Sequence, residues 1–114
     1  MKSYTDLEQS KKLLEFLPFE SANMRFCFSH ALSGRIVGHY PMIGREPSLG
    51  TVPCWSLAAL LNVLPKIVNN ETLFVETSPC LWHIGYRNIY IARVDNLVDA
   101  CYELILKLHE MNLL

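Results

Sequence analysis

The chain has 114 residues, the usual size of one domain and too few for two ordinary ones. Apolar side chains make up 51% of it, which supplies a core and excludes a disordered or low-complexity chain. Ten Lys and Arg stand against eleven Asp and Glu, with no basic run longer than Lys11-Lys12, so the bulk charge does not indicate a polyanion partner. We therefore predict a single domain over residues 1–114.

The first predicted elements are a helix over residues 6–17 and a strand over residues 24–30. Thr5-x-x-Glu8 has the spacing of a capping box, and Pro18 ends the helix. Apolar residues then occupy alternate positions of residues 24–30, which is typical of a strand with one buried face.

Residues 31–52 are expected to form a long loop, of which only residues 35–40 could make another short strand. Glycine and proline interrupt the segment repeatedly, at Gly34, Gly38, Pro41, Gly44, Pro47 and Gly50. Loops of this length are uncommon in compact domains and are often functional. If the protein has a binding loop, we expect it here.

A central helix is predicted over residues 54–64, ended by Pro65 and apolar on nearly all sides. It lies within the uncharged stretch 47–65, whose apolar part is too short for the roughly 20 residues that cross a bilayer. We therefore expect a buried helix covered on more than one face, and no membrane partner.

Three short strands and a last helix complete the predicted fold. Residues 73–77, 81–87 and 89–94 are rich in β-branched and aromatic side chains, which indicates an antiparallel meander. The helix over residues 96–111 has one apolar stripe, formed by Leu97, Cys101, Leu104, Leu108 and Met111. The predicted class is α+β, with three helices packed on one face of a small antiparallel sheet.

Four segments together carry a resemblance to a known family. They are TDLEQSKKLL at residues 5–14, SANM at 21–24, WSLAALL at 55–61 and DNLVDAC at 95–101. They resemble uncharacterised small proteins of Bacteroides-like gut bacteria and their mobile elements or phages. The resemblance implies a source and a cytosolic setting, but no activity, cofactor or site residue. The absence of an apolar secretory segment near the N-terminus likewise predicts a cytoplasmic protein.

Two Cys-x-x-His pairs are the candidate metal ligands. Cys27 with His30, and Cys80 with His83, supply the two thiolates and two imidazoles that can close a tetrahedral zinc site. Each pair falls in or beside a predicted strand, where residues three apart point to opposite faces, so a bend would be needed. The alternative is reduced, buried cysteines with partly exposed histidines.

Cys54 is the candidate nucleophile, because the start of a helix lowers the pKa of a thiol. Its uncharged surroundings fit simple packing at least as well. No nucleophile elbow, zinc-protease helix or phosphate-binding loop is present in the sequence. We predict a protein that is not an enzyme and has no cofactor.

Aromatic pairs on the predicted strands raise the possibility of base stacking by single-stranded nucleic acid. Phe26 and Phe28, or Trp82 and Tyr86, would form such platforms. Aromatic residues on a half-covered sheet usually face the core, and the balanced charge also argues against nucleic acid.

Two functions remain open. The preferred one is a noncatalytic protein-interaction module that holds a protein partner or a second copy of itself, through the Gly34–Gly50 loop or an apolar helix face. Self-association through the last helix would place Leu104 and Leu108 in the interface. The alternative is a small-ligand, metal or single-stranded nucleic-acid binding protein.

Overall fold

The computed structural model describes residues 2–44, 51–79, 81–93 and 95–114. Within them the chain forms three α-helices, which are α1 (Leu7–Leu14), α2 (Leu57–Val63) and α3 (Leu97–Glu110). The strands are β1 (Met24–His30), β2 (Ile36–Ile43), β3 (Val52–Cys54), β4 (Ile67–Val68), β5 (Glu71–Thr72), β6 (Phe74–Ser78), β7 (Leu81–Tyr86) and β8 (Ile89–Arg93). The α+β class is confirmed.

The strands are divided among three small antiparallel sheets rather than collected in one. Their orders are β2-β1-β3, β4-β5 and β6-β7-β8 in the described part of the chain. The last sheet is the predicted meander. Alternation along a strand shows which of its faces is buried but not which strand it pairs with. The sequence pattern therefore did not predict the division into three sheets.

Helix α1 is shorter than predicted and has a different cap. Asp6 is the N-cap residue, and its carboxylate accepts from the backbone N–H of Gln9 at 2.8 Å while the Gln9 side chain accepts from the Asp6 N–H. The predicted Thr5/Glu8 box is therefore wrong by one position. Thr5 is fully buried, and its hydroxyl instead accepts from the backbone N–H of Trp55 at 3.1 Å.

Helix α2 also begins later than predicted. Residues 52–54, of which the prediction placed 54 in the helix, pair with β1 as strand β3. Ser56 caps the helix by accepting from the backbone N–H of Ala59 at 3.3 Å.

Helix α3 forms the centre of the core. Leu104, Ile105 and Leu108 are all 0% exposed in the single chain, and they belong to one buried cluster that includes α2 and the third sheet. The prediction that Leu104 and Leu108 form an interface is therefore wrong, because neither side chain reaches the surface. Met111, the last residue of the predicted apolar stripe, lies outside the core and is 46% exposed.

A polar network joins the N-terminal segment to α3. The Asp99 carboxylate accepts from the Lys2 ammonium, the Gln9 amide and the Asn96 amide, each at 2.8 Å. Burial alone would raise the pKa of Asp99, but these hydrogen bonds and the charge of Lys2 outweigh it and lower the pKa to about 2.

In the part of the chain that the structure describes, no helix combines the length and apolar composition required to cross a bilayer.

Candidate interaction surface

The structure does not bring the predicted metal ligands together. Cys27 and His30 lie on β1 in the first sheet, whereas His83 lies on β7 in the third. Cys80 lies outside the described residues. Among the described residues, no three His, Cys, Asp or Glu side chains are grouped so that they could hold a metal ion.

The environment of Cys54 is the opposite of the one predicted for a nucleophile. The side chain is 0% exposed, and burial, with a smaller contribution from Cys27, raises the pKa of its thiol to about 12. Cys54 ends β3 and precedes the cap of α2 by two residues, so it does not lie in the first turn of the helix. The expected lowering of its pKa is wrong.

Two of the four candidate stacking aromatics are core residues. Phe26 is 3% exposed and Tyr86 is 1% exposed. The Phe26 ring makes edge-on contacts with Tyr4 and His39, with ring centroids 6.1 Å and 5.2 Å apart. These rings therefore stabilise the fold and offer no free face to a base.

Strands β1 and β2, with the turn between them, form a projecting hairpin that we call the arm (residues 24–43). In the described part of the chain, β3 pairs only with Met24, Arg25 and Phe26, so beyond Phe26 the arm has two strands. The molecule measures 53 × 30 × 21 Å, and its radius of gyration is 15.6 Å. A compact domain of this length would have about 13 Å. The chain is therefore elongated.

The segment directly before β1, residues 21–23, is the root of the arm, and side-chain hydrogen bonds fix it to the body, which is the rest of the chain. The Asn23 amide donates to the Ser56 hydroxyl at 2.7 Å and accepts from the Ser56 backbone N–H at 3.1 Å. The indole N–H of Trp55 donates to the hydroxyl of Ser21 at 3.0 Å. The root is therefore held, while the tip extends away from these contacts.

The arm carries a concentration of exposed apolar side chains. Among the described residues, thirteen large apolar side chains are exposed, and six of them lie on the arm: Leu32, Ile36, Val37, Tyr40, Met42 and Ile43. Ile43 is 87% exposed, and Leu32, in the turn, is completely exposed. No charged residue occurs anywhere in β2. All six lie within residues 31–52, where the sequence predicted a long loop and, if the protein has one, a binding loop. The loop prediction is wrong for Ile36–Ile43, which form β2, and its part at residues 45–50 lies outside the described residues.

The free edge of β2 is interrupted by Pro41. The Gly44 N–H donates to the Asn23 carbonyl at 2.9 Å, and hydrogen-bonded pairs alternate along an antiparallel ladder, so the backbone nitrogen of residue 41 faces outward. Proline has no N–H there, and the register also shifts between Ser29 and His30. Such features block the addition of a further strand. The arm therefore offers its side-chain faces rather than an open backbone edge.

Three adjoining grooves lie on the body beside the root of the arm, and together we call them the cleft. The largest, of about 600 Å³, is lined mainly by apolar residues such as Leu17, Val63 and Leu114. The others, of about 350 and 240 Å³, share Val63 and His109 respectively with it. The His109 ring stacks on that of Phe16, with centroids 3.9 Å apart.

The cleft has an acidic rim. Among the residues that the structure describes, its lining includes three carboxylate side chains, those of Glu15, Glu20 and Glu110, and one ammonium group, that of Lys12. Lys12 and Glu15 are 3.2 Å apart and form an ion pair. The cleft therefore combines an apolar floor with carboxylate groups in the two smaller grooves.

Comparison of the chain with models of protein families, with curated proteins and with solved structures identifies no match. The resemblance carried by the four sequence segments stays a prediction.

Proposed function

We propose that the protein is a noncatalytic protein-interaction module and that the arm is its contact surface. The observation that carries the proposal is the group of six exposed apolar side chains on one projecting hairpin. Single exposed apolar residues are normal on a protein surface, but a concentration of them on the two faces of one hairpin is typical of an interaction site.

The energetics support the same conclusion. Burying an Ile, Val or Met side chain is favourable by about 1.5–3 kcal/mol relative to leaving it in water. The arm leaves Ile36, Val37, Met42 and Ile43 exposed together. A partner that covers these side chains recovers the share of that free energy that corresponds to their exposed area.

The composition of the arm favours protein over nucleic acid as the partner. Five of the six exposed side chains are aliphatic or thioether groups, and the only exposed large aromatic one is that of Tyr40. Single-stranded nucleic acid is bound by aromatic faces together with several basic groups. Aliphatic side chains instead match the apolar centre of a protein interface.

The test is a selection from a random-peptide display library on the immobilised full chain. The arm variant Ile36→Lys/Ile43→Lys is compared with Ile67→Lys, a matched control whose side chain is 65% exposed on β4, away from the arm. Thermal melting first establishes that both variants are folded. We expect selected peptides to bind the wild type and the control equally, and to bind the arm variant about tenfold more weakly or worse.

Two results would overturn this proposal. One is that repeated selections give no peptide that binds the wild type. The other is that the selected peptides bind Ile36→Lys/Ile43→Lys as tightly as the wild type, which would place the binding surface elsewhere.

A further inference from the structure

We infer that the partner of the arm is a second copy of this chain, and that the tip of each arm docks in the cleft of the other copy. The tip is formed by Leu32 and Arg35, in the turn between β1 and β2. The inference rests on the proposed function, since it names the partner of that same surface.

The charge distribution is the first argument. The arm contains two arginines, Arg25 and Arg35, and no Asp or Glu. The rest of the chain therefore has eight basic residues and all eleven acidic ones. A positive arm and a more negative body are complementary between two copies, whereas contact between two arms alone would be repulsive.

The chemistry of the tip matches that of the cleft. Leu32 is completely exposed and fits the apolar floor near Val63 and Leu114. Arg35, three residues further on, is also exposed and would then lie near the acidic rim that includes Glu20 and Glu110. An apolar anchor with a flanking cation thus meets an apolar floor with flanking carboxylates.

The geometry explains why a second copy is needed and why the contact is reciprocal. Asn23 lines one of the three grooves and directly precedes β1, so this end of the cleft lies at the root of the arm. The seven residues of β1 extend about 23 Å, which carries the tip away from its own cleft. When two copies are related by a twofold axis, a face of one arm packs against a face of the other, and the two arms run in opposite directions. Each tip then reaches the root of the other copy's arm.

The area of the arm shows that both contacts are needed. One face of a two-stranded arm measures about 23 by 10 Å, so packing two such faces together buries roughly 500 Å² in total. Stable interfaces bury about 1,200–2,000 Å². The two tip-to-cleft contacts must supply the rest, and substitutions at the tip should therefore weaken the dimer strongly.

The test uses sedimentation velocity on the full chain and three charge variants. Arg35→Glu reverses the charge of the tip, and Glu20→Lys/Glu110→Lys reverses that of the cleft rim. Glu76→Lys is the control, because Glu76 is exposed on β6, outside both the arm and the cleft. We expect a wild-type dimer, unchanged by the control and weakened about tenfold or more by each of the other two, since every substitution acts twice in a twofold dimer.

Mixing the two weakened variants gives the decisive measurement. In the mixture, the arm of the Arg35→Glu chain faces a lysine rim, and the unchanged arm of the other chain faces a carboxylate rim, so both contacts are complementary. We expect a heterodimer with an affinity within about threefold of the wild type. Variants that had merely lost their fold would not recover.

The opposite results would refute the inference. A wild-type chain that stays monomeric to about 100 μM, or a dimer that neither variant weakens, excludes docking of the tip in the cleft. A monomer that still binds selected peptides through the arm would refute the second copy while leaving the proposed function intact. A monomer that binds an oligo(dT) strand in an arm-dependent way would refute both.

Discussion

Replacing Leu108 with Ala tests whether α3 is core or interface. Leu108 is 0% exposed within the single chain. Truncating a buried Leu to Ala removes apolar contacts and leaves a cavity, which costs about 3 kcal/mol. Unfolding entropy near 2.1 cal/mol/K per residue gives about 0.24 kcal/mol/K for 114 residues, so Tm should fall by about 12 °C. Thermal melting by circular dichroism at fixed protein concentration measures this shift.

Met111→Ala is the matched control, because Met111 continues the same apolar stripe but is 46% exposed. It should cost about 1 kcal/mol or less, since half of the side chain is already in water. The placement of α3 in the core is refuted if the two variants melt alike. It is also refuted if Leu108→Ala keeps the wild-type Tm and only changes the oligomeric state.

Three further predictions concern ionisation, thiol reactivity and backbone geometry. Despite burial, hydrogen bonding holds the pKa of Asp99 at about 2. Its contribution to the free energy of unfolding is therefore complete above about pH 4 and is lost as the pH falls through 2. In urea denaturation, the free energy of unfolding of Asp99→Asn should vary with pH by about 1 kcal/mol less than that of the wild type. Burial raises the pKa of Cys54 and of Cys101 to about 12, so neither thiol should react at pH 8 while the protein is folded. Peptide mapping after iodoacetamide treatment should find both thiols unmodified in the folded protein and modified in protein that was unfolded first. Gly85→Ala would place a Cβ 2.3 Å from a carbonyl oxygen of β8 and should lower the free energy of unfolding by more than about 3 kcal/mol. Gly38→Ala meets open space, and its free energy of unfolding in the same denaturation assay should stay within about 1 kcal/mol of the wild type.

The elements that the sequence predicted well have strong periodicity or clear ends. Strand β1 has the limits that were predicted, because apolar residues alternate over its whole length. Helix α3 agrees within one residue at each end, since Asn96 is a good cap and the apolar stripe runs through four turns. Periodicity reports burial on one face, and in both elements burial decides the structure.

The elements that were missed are too short to have a period. Strand β3 has three residues, and β4 and β5 have two each. The β4–β5 hairpin turns at Asn69 and Asn70, whose φ angles are 51° and 66°. Consecutive positive φ values are typical of a tight hairpin turn, and asparagine tolerates them. The Asn-Asn pair was the signal that could have predicted this hairpin.

The candidate site was predicted only in part, because an apolar stripe has the same sequence whether it faces a core or a partner. The stripe on α3 proved to be core, as Leu104 shows. The segment 31–52 was expected to be mainly loop, but its described part contains β2. Consecutive apolar pairs such as Ile36-Val37 are typical of a strand buried on both faces. On a projecting edge strand the same pairs are exposed, and only the tertiary structure distinguishes the two cases.

The arm and the core are held together differently, and this difference allows one chain to fold while it keeps an apolar surface. Backbone pairing with β1 holds β2 in place, and the exposed side chains of Ile36, Val37 and Ile43 contribute little to that pairing. Replacing them with lysine should therefore leave the free energy of unfolding of the monomer, measured at a protein concentration too low for association, within about 0.5 kcal/mol. Leu108→Ala, in contrast, must lower the free energy of unfolding, because it removes a core side chain. A loss of association without a loss of stability is thus the result that separates a contact surface from a core, and it is the result that we expect for the arm.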